Sequence, residues 1–190
     1  TFNAGTLSSK HAMFDMKNTG KVSQYNLFKK YQINENLHQK IFIYCKKKKI
    51  ECFSTPAHPN DVDLLEKFKV KYHKIGSDDA INIPLLKYVA KTKKKIILST
   101  GMCDLKEIKN SVKTILRYNK KLSLLHCVSD YPAKKEEINL NIITSLKKQF
   151  PKIKIGFSDH TLGPLASLCS VVMGAEIIEK HFTHDKNANG

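Results

Sequence analysis

The chain has no run of about 18 apolar residues, no CxxC pair and no glycine-rich nucleotide loop. The first absence argues against a membrane-spanning helix, and a soluble protein is the expectation. The second argues against a zinc knuckle or a CxxC redox motif. The third covers both G-x-x-x-x-G-K-[ST] and G-x-G-x-x-G, so neither a P-loop nor a dinucleotide fold is indicated. The N-terminus also lacks the charged, apolar and small-residue order of a signal peptide. Cysteines are few and odd in number: Cys45, Cys52, Cys103, Cys127 and Cys169. Four lie within or beside apolar segments, as reduced, packed thiols do, which points to the cytoplasm.

Acidic residues are scarce as well. Seventeen Asp and Glu stand against 33 Lys and Arg, for a net charge of +16. The lysines concentrate in runs at Lys46 to Lys49, Lys91 to Lys95 and Lys134 to Lys135, with little aromatic interleaving and no nucleic-acid module. They read as a solvated surface, with neither a nucleic acid nor a membrane as partner. At 190 residues one substantial core is available, although large barrels need more chain. Thr1 in place of a starting Met and the polar ending "THDKNANG" make a fragment the expectation.

What is present is a regular alternation. Six apolar or β-branched runs read as strands: "IECFST" from Ile50, "YHKIGS" from Tyr72, "KIILST" from Lys95, "LSLLHC" from Leu122, "KIGFS" from the Ile153 region and "EIIEKHF" from Glu176. Between them, helical spacing recurs around Val62, Leu65 and Phe68; Ile83 and Leu86; Ile108, Val112 and Ile115; Ile142 and Leu146; and Leu165, Leu168 and Val172. Asn60 or Asp61, Asp104 with Glu107, and Gly163-Pro164 supply helix starts. A helix is expected within residues 1 to 40. Strand starts spaced 22 to 31 residues apart match βα units, hence an α/β fold with a parallel sheet.

Every strand run ends in hydrogen-bonding or reactive side chains: Ser54 and Thr55; Lys74 and Ser77; Ser99 and Thr100; His126 and Ser129; Ser158 and His160; Glu179 and His181. A TIM (β/α)8 barrel gathers all strand C-termini around one pocket, whereas an open sheet uses one switch point. The expectation is an incomplete barrel covering strands 3 to 8 over residues 1–190.

Alternation places Ser158 and His160 on one face of their strand, and Glu179 and His181 on one face of the next. Two neutral imidazoles from neighbouring strand ends can hold a divalent ion and leave positions for substrate oxygens; each can equally be a hydrogen-bonded rim residue. Lys74, inside an apolar run, implies an anion, a Schiff base, or a tip that reaches solvent. With Thr55, Ser77, Ser99 and Ser158 it makes a cationic, hydroxyl-rich pocket suited to phosphate. Tyr131, in the turn "SDYP", can offer a hydroxyl. Cys127 beside His126 resembles a nucleophile and base in sequence only, since adjacent strand residues face opposite ways.

The strings "FSTP", "YHKIGS", "IPLLKYVAKT", "ILSTGM", "LLHCVSDYP", "GFSDHTLG" and "IIEKHFT", in that order over nearly the whole chain, resemble the N-acetylneuraminate (sialic acid) synthase family, which includes legionaminic and pseudaminic acid synthases. The resemblance implies condensation of phosphoenolpyruvate with an N-acetylated aminosugar to a nine-carbon 2-keto acid, on a TIM barrel followed by an antifreeze-like domain. It implies Mn²⁺ or Mg²⁺ on His160 and His181, and phosphoenolpyruvate on Lys74, Ser77, Ser99 and Ser158 with Thr55 nearby. Ser129 and Tyr131 would line the sugar side, and Glu179 would act as a base or support a ligand. A cytoplasmic homodimer is implied for the full-length protein.

The opening "TFNAGTL" resembles the end of the family's second strand, so the preceding phosphate-contacting lysine and the first-strand catalytic glutamate lie outside this chain. So do the PDH-like motif and the antifreeze-like domain, whose arginine serves the partner subunit's site; this piece alone is expected to be inactive. "NTGKVSQYNLFKKYQI" and the His in "LLHC" resemble sialic or legionaminic more than pseudaminic acid synthases. Two other classes compete: a Schiff-base aldolase using Lys74, and a non-enzymatic basic module whose salt-sensitive binding would survive His160→Ala.

Overall fold

In the computed structural model, which describes residues 3–8, 11–16 and 20–186, the chain divides into two units, Thr1–Val70 with Thr183–Gly190, and Lys71–Phe182. The first unit holds a short helix α1 (Ala4–Leu7), an antiparallel strand pair β1 (Met13–Met16) and β2 (Gly20–Ser23), and helices α2 (Gln24–Tyr31), α3 (Glu35–Lys47) and α4 (Pro59–Lys67). Three of the four helices start at an oxygen-bearing cap: Asn3 for α1, Ser23 for α2 and Asn34 for α3. Helix α4 starts at His58 rather than the expected Asn60 or Asp61. Pro59 takes the first helical position, so the cap moves ahead of it, and Asp61 closes a capping box instead. Phe42 and Phe68 stack with centroids 4.9 Å apart, and Val62 and Leu65 of α4 are fully buried.

Two expectations change in this unit. Ile50–Thr55 is not a strand: it has one bridge residue, Ser54, and Ile50 is 64% exposed. An alternating apolar string becomes a strand only where a ladder partner meets it over several residues, and here one rung forms. The segment "TFNAGTL" is helical over Ala4–Leu7, while Thr1 and Phe2 lie outside the described residues, as do Asn18 and Thr19 of "NTGKVSQYNLFKKYQI". The strand pair and the second early helix were not expected.

The second unit alternates strand and helix: β3 (Tyr72–Ile75), α5 (Ile83–Lys91), β4 (Lys95–Ser99), α6 (Leu105–Leu116), β5 (Leu122–Cys127), a 3-10 turn (Lys135–Glu137), α7 (Asn141–Gln149), β6 (Lys154–Asp159), α8 (Leu165–Val172) and β7 (Ile178–Lys180). The five helices expected between the strand runs all form, and Asp104 and Glu107 make the expected capping box on α6. Strands β3 to β7 form one parallel sheet in sequential order. Sequential order without a reversal is the pattern of a barrel wall, whereas a doubly wound sheet reverses at its switch point.

Register sorts the side chains into two rows. Ile75, Leu98, Leu124 and Ile155 occupy one rung, all buried. Further along the same row His126 meets Phe157 with ring centroids 5.7 Å apart. His126 Nε2 donates to the Ile138 carbonyl at 2.6 Å, so this histidine serves the helix-side core. The opposite row carries Cys127, Ser158 and Glu179 on one rung. Gly156, two residues before Ser158, belongs to that row, and a Cβ there would stand 2.4 Å from the Ile177 carbonyl. All five cysteines are free thiols, but only Cys127 is buried and Cys169 is exposed. The Lys46–Lys49 and Lys134–Lys135 runs are exposed, as their composition implied. Among the described residues no helix is long and apolar enough to cross a membrane.

Two stability predictions follow from the packing. Gly156→Ala should lower unfolding free energy by about 1–3 kcal/mol in urea titrations, since the added carbon meets backbone. Burial pulls the His126 imidazole below its ordinary value, outweighing the opposite pull of the Ile138 carbonyl. Its contribution is therefore present above about pH 6.5 and lost as pH falls through the folded value. The urea midpoint should drop below pH 6.5, and His126→Gln should flatten that part of the curve.

Candidate functional site

The C-terminal ends of the parallel strands open into a cavity of about 310 Å³. Lys74, Ser77, Ser99, Ser129, Tyr131, Ser158, His160 and Glu179 all line it, with Gly76, Asp78, Met102 and Cys127. Eight residues singled out from the sequence thus meet at one place. A larger cavity, about 470 Å³, lies in the first unit, but its polar groups are committed to structure. Asn34 and His58 cap helices, Asp61 closes the capping box, Lys67 pairs with Glu35 and His38 donates to the Asn34 carbonyl.

Lys74 is 8% exposed and donates to Ser99 Oγ at 2.7 Å and the Ile75 carbonyl at 3.2 Å. Its third neighbour is Glu179 Oε1 at 3.5 Å. Two hydrogen bonds and an ion pair surround the ammonium, which is how a buried cation is tolerated. Lys74 is on β3 and Glu179 on β7, the two outer strands of the sheet. Flat, such a sheet would separate those strands by about 19 Å. The ion pair closes only because the sheet curls inward, as a barrel wall does.

Ser158 Oγ donates to Glu179 Oε1 at 2.7 Å and lies 3.3 Å from His160 Nε2. His160 Nδ1 stands 2.6 Å from the Val128 carbonyl. A carbonyl only accepts, so Nδ1 carries the proton and Nε2 holds the lone pair. The His181 ring is 5.4 Å from that of His160, nearly perpendicular, and the Tyr131 ring lies 4.1 Å from His160 and 5.5 Å from His181. A histidine with one nitrogen tied to a carbonyl and the other turned to the cavity, here beside Ser158 Oγ, is oriented as metal-binding histidines are. His160 is oriented in this way and the His181 ring stands beside it, while among the described residues no cluster of three or more His, Cys, Asp or Glu forms a protein cage for an ion.

Asp159 faces away from the cavity and accepts from Thr161 N, Thr161 Oγ1, Ser167 Oγ and Lys180. Burial alone would raise its carboxyl, but Lys180 and the hydroxyl and amide donors prevail and hold it at about 2. Its stabilisation is in place above the ordinary carboxylate range and is lost as pH falls from 3.8 toward 2. Partial desolvation, then neighbouring Cys127, Asp78 and Glu179, raise the Tyr131 phenol. It remains a neutral hydroxyl at pH 7.

Thr55 belongs to the first unit, half-buried ahead of α4. The sequence reading missed Cys127, whose thiol lies 3.1 Å from Ser77 Oγ, and the Gly101 N–H, which donates to Ser77 Oγ at 2.9 Å. The parity that separates Cys127 from His126 already places the thiol on the Ser129 side. Gly101 was signalled by "STGM", since a Cβ there would stand 2.5 Å from Cys127 Sγ and 2.6 Å from its carbonyl.

Comparison with known proteins gives the family. A family model described as "NeuB family" matches residues 1–190. The chain is 41% identical to N,N'-diacetyllegionaminic acid synthase of Campylobacter jejuni, over 99% of this chain and 57% of that protein. It is 38% identical to the enzyme of the same name from Legionella pneumophila, over 100% and 56%. A crystal structure of N-acetylneuraminic acid (sialic acid) synthetase from Leptospira borgpetersenii, with citrate, superposes with a TM-score of 0.82 at 36% identity, covering 85% of this chain and 56% of that one. The chain spans little more than half the length of these relatives. The match along its whole length, with the barrel-wall sheet and the converging strand-end residues, places the chain in the NeuB family of sialic and related nonulosonic acid synthases.

Proposed function

We propose that the full-length protein condenses phosphoenolpyruvate with an N-acetylated aminosugar, N-acetylmannosamine or a dideoxy analogue, giving a nine-carbon 2-keto sugar acid and inorganic phosphate. The observation that carries this reading is the chain Ser99–Lys74–Glu179–Ser158–His160 inside the cavity, a buried ammonium and hydroxyls set beside an imidazole with a free lone pair. Such a site suits a small polyanion on one side and a polarised carbonyl on the other.

Lys74, Ser77, Ser99 and Ser158 would hold the carboxylate and phosphate of phosphoenolpyruvate. His160 and His181 would hold Mn²⁺ or Mg²⁺, which when bound supplies Lewis acidity for the aldehyde oxygen of the open-chain sugar. Tyr131 and Ser129 would position that sugar. The double-bond electrons of phosphoenolpyruvate would form the new bond from its C3 to the aldehyde carbon while the carbonyl π pair moves to the aldehyde oxygen, which takes up a proton to become a hydroxyl, leaving positive charge at C2. Glu179, placed against Ser158 and Lys74, would stabilise that charge and take a proton from the water that adds at C2. The tetrahedral carbon then expels phosphate by C–O cleavage.

The legionaminic and sialic names of the relatives support the aminosugar class that "NTGKVSQYNLFKKYQI" and His126 resemble. A homodimer in the cytoplasm, with no nucleic-acid or membrane partner, completes the proposal.

Phosphate release by the full-length protein should require an N-acetylated aminosugar and Mn²⁺ or Mg²⁺; no release with any such sugar overturns the reading. His160→Ala should lower kcat/KM beyond the roughly 10–100-fold that loss of a supporting partner costs. Lys74 has no Schiff-base role in this chemistry. Borohydride with substrate should leave it unlabelled, and a trapped adduct on Lys74 would favour an aldolase instead.

A further inference from the structure

On the face of β6 and β7 turned away from the cavity, a second side-chain bridge spans the same two strands. Asp159 and Lys180 are partners on the last rung of the ladder, one residue beyond the Ser158–Glu179 rung. The pleat therefore sends their side chains to the opposite face. Lys180 Nζ stands 2.9 Å from Asp159 Oδ2 and donates to the Thr161 carbonyl at 2.8 Å. Asp159 also accepts from Thr161 N at 2.9 Å, Thr161 Oγ1 at 2.7 Å and Ser167 Oγ at 2.5 Å. The Asp159 side chain is fully enclosed, while that of Lys180 is 31% exposed.

These bonds close around one residue. The residues before and after His160 are both tied to Lys180, and Lys180 is itself the residue between Glu179 and His181. The His160 carbonyl is held separately by the Ala133 N–H at 3.0 Å. Strand β7 has only three residues, so its few ladder bonds leave much of the alignment of its end to side-chain ties. A charge-assisted bond has a direction as well as a strength, which apolar contact lacks. A buried ion pair is a weak source of net stability but can fix register.

We infer that Lys180, acting through Asp159 and the Thr161 carbonyl, is a positioning residue that sets the His160 ring against His181. The inference rests on the reading of those two imidazoles as the metal-holding pair. On the cavity face the Ser158–Glu179 bond aligns the substrate side of the same strand ends. The two rungs lock β6 to β7 from both faces, and the histidines project from the first residues beyond them.

The test compares the full-length wild type with Lys180→Met, Lys180→Arg and Asp159→Asn by two measurements made without substrate. Histidine ring ¹H–¹⁵N spectra report the His160 Nδ1–H, bonded to Val128, with the His126 Nε2–H, bonded to Ile138, as internal standard. Lys180→Met should speed exchange of the His160 ring proton about tenfold, the low end of effects for a group orienting a metal-binding histidine, and leave that of His126 within about twofold. Titration with Mn²⁺ alone should show an affinity about tenfold weaker in the same variant. Lys180→Arg, which keeps the charge and the donors, should recover both.

Unchanged His160 exchange in folded Lys180→Met overturns the inference, and so does equal loosening of His126 and His160, which would mark general destabilisation. If Lys180→Met does not fold, Asp159→Asn, which keeps the shape and removes the charge, is held to the same outcomes. A wild type that binds no Mn²⁺ overturns the metal reading instead, and the ring-proton comparison then decides the positioning role alone.

Discussion

A buried ammonium has to be surrounded by acceptors, and Lys74 finds them on different strands: the Ile75 carbonyl on its own, Ser99 on the next, and Glu179 on the far edge of the sheet. No flat arrangement of the five strands brings the last of these within reach. The curl of the sheet, the cavity inside it and the convergence of hydroxyls on that cavity accompany this one contact. Its position on the C-terminal side is where parallel α/β folds place their chemistry, because the strand-to-helix loops there vary without disturbing the ladder.

The parallel register then divides the work between two faces. Inward, Cys127, Ser158 and Glu179 share a rung and present polar groups to the cavity. Outward, Ile75, Leu98, Leu124 and Ile155 build the core against the helices, with His126 donating into it. Near the strand ends the outward row turns polar too, in Asp159 and Lys180, and the same backbone is gripped from both sides. A site built from single residues on several strands needs such grips, since each strand contributes only a short end.

Much of this was legible in the residues. The βα alternation, five helices, the Asp104–Glu107 capping box and eight cavity-lining residues rest on local periodicity and on the two-residue pleat, and the structure agrees at each. The miss at Ile50–Thr55 has a different origin: alternation states what a strand would look like, not whether a partner is present along it. The pairing of β1 with β2 and the His58 cap went unread, the first because strand pairing is not written in local periodicity and the second because Pro59 takes the first helical position and moves the cap ahead of it. Cys127 was set aside as half of an improbable catalytic pair, although the same parity puts it against Ser77.

By itself the amino-acid sequence determined the unit, strand then helix, and which face of each strand carries polar groups, because both follow from the period of the backbone. It also carried the family motifs, which remain recognisable string by string. Only the tertiary structure decided that Lys74 meets Glu179, that His160 turns Nε2 toward Ser158 because the Val128 carbonyl takes its other nitrogen, and that Asp159 is tied to Lys180. Each of these contacts joins residues about 20 or more positions apart. Curvature and register set such distances, and no single stretch of sequence encodes them.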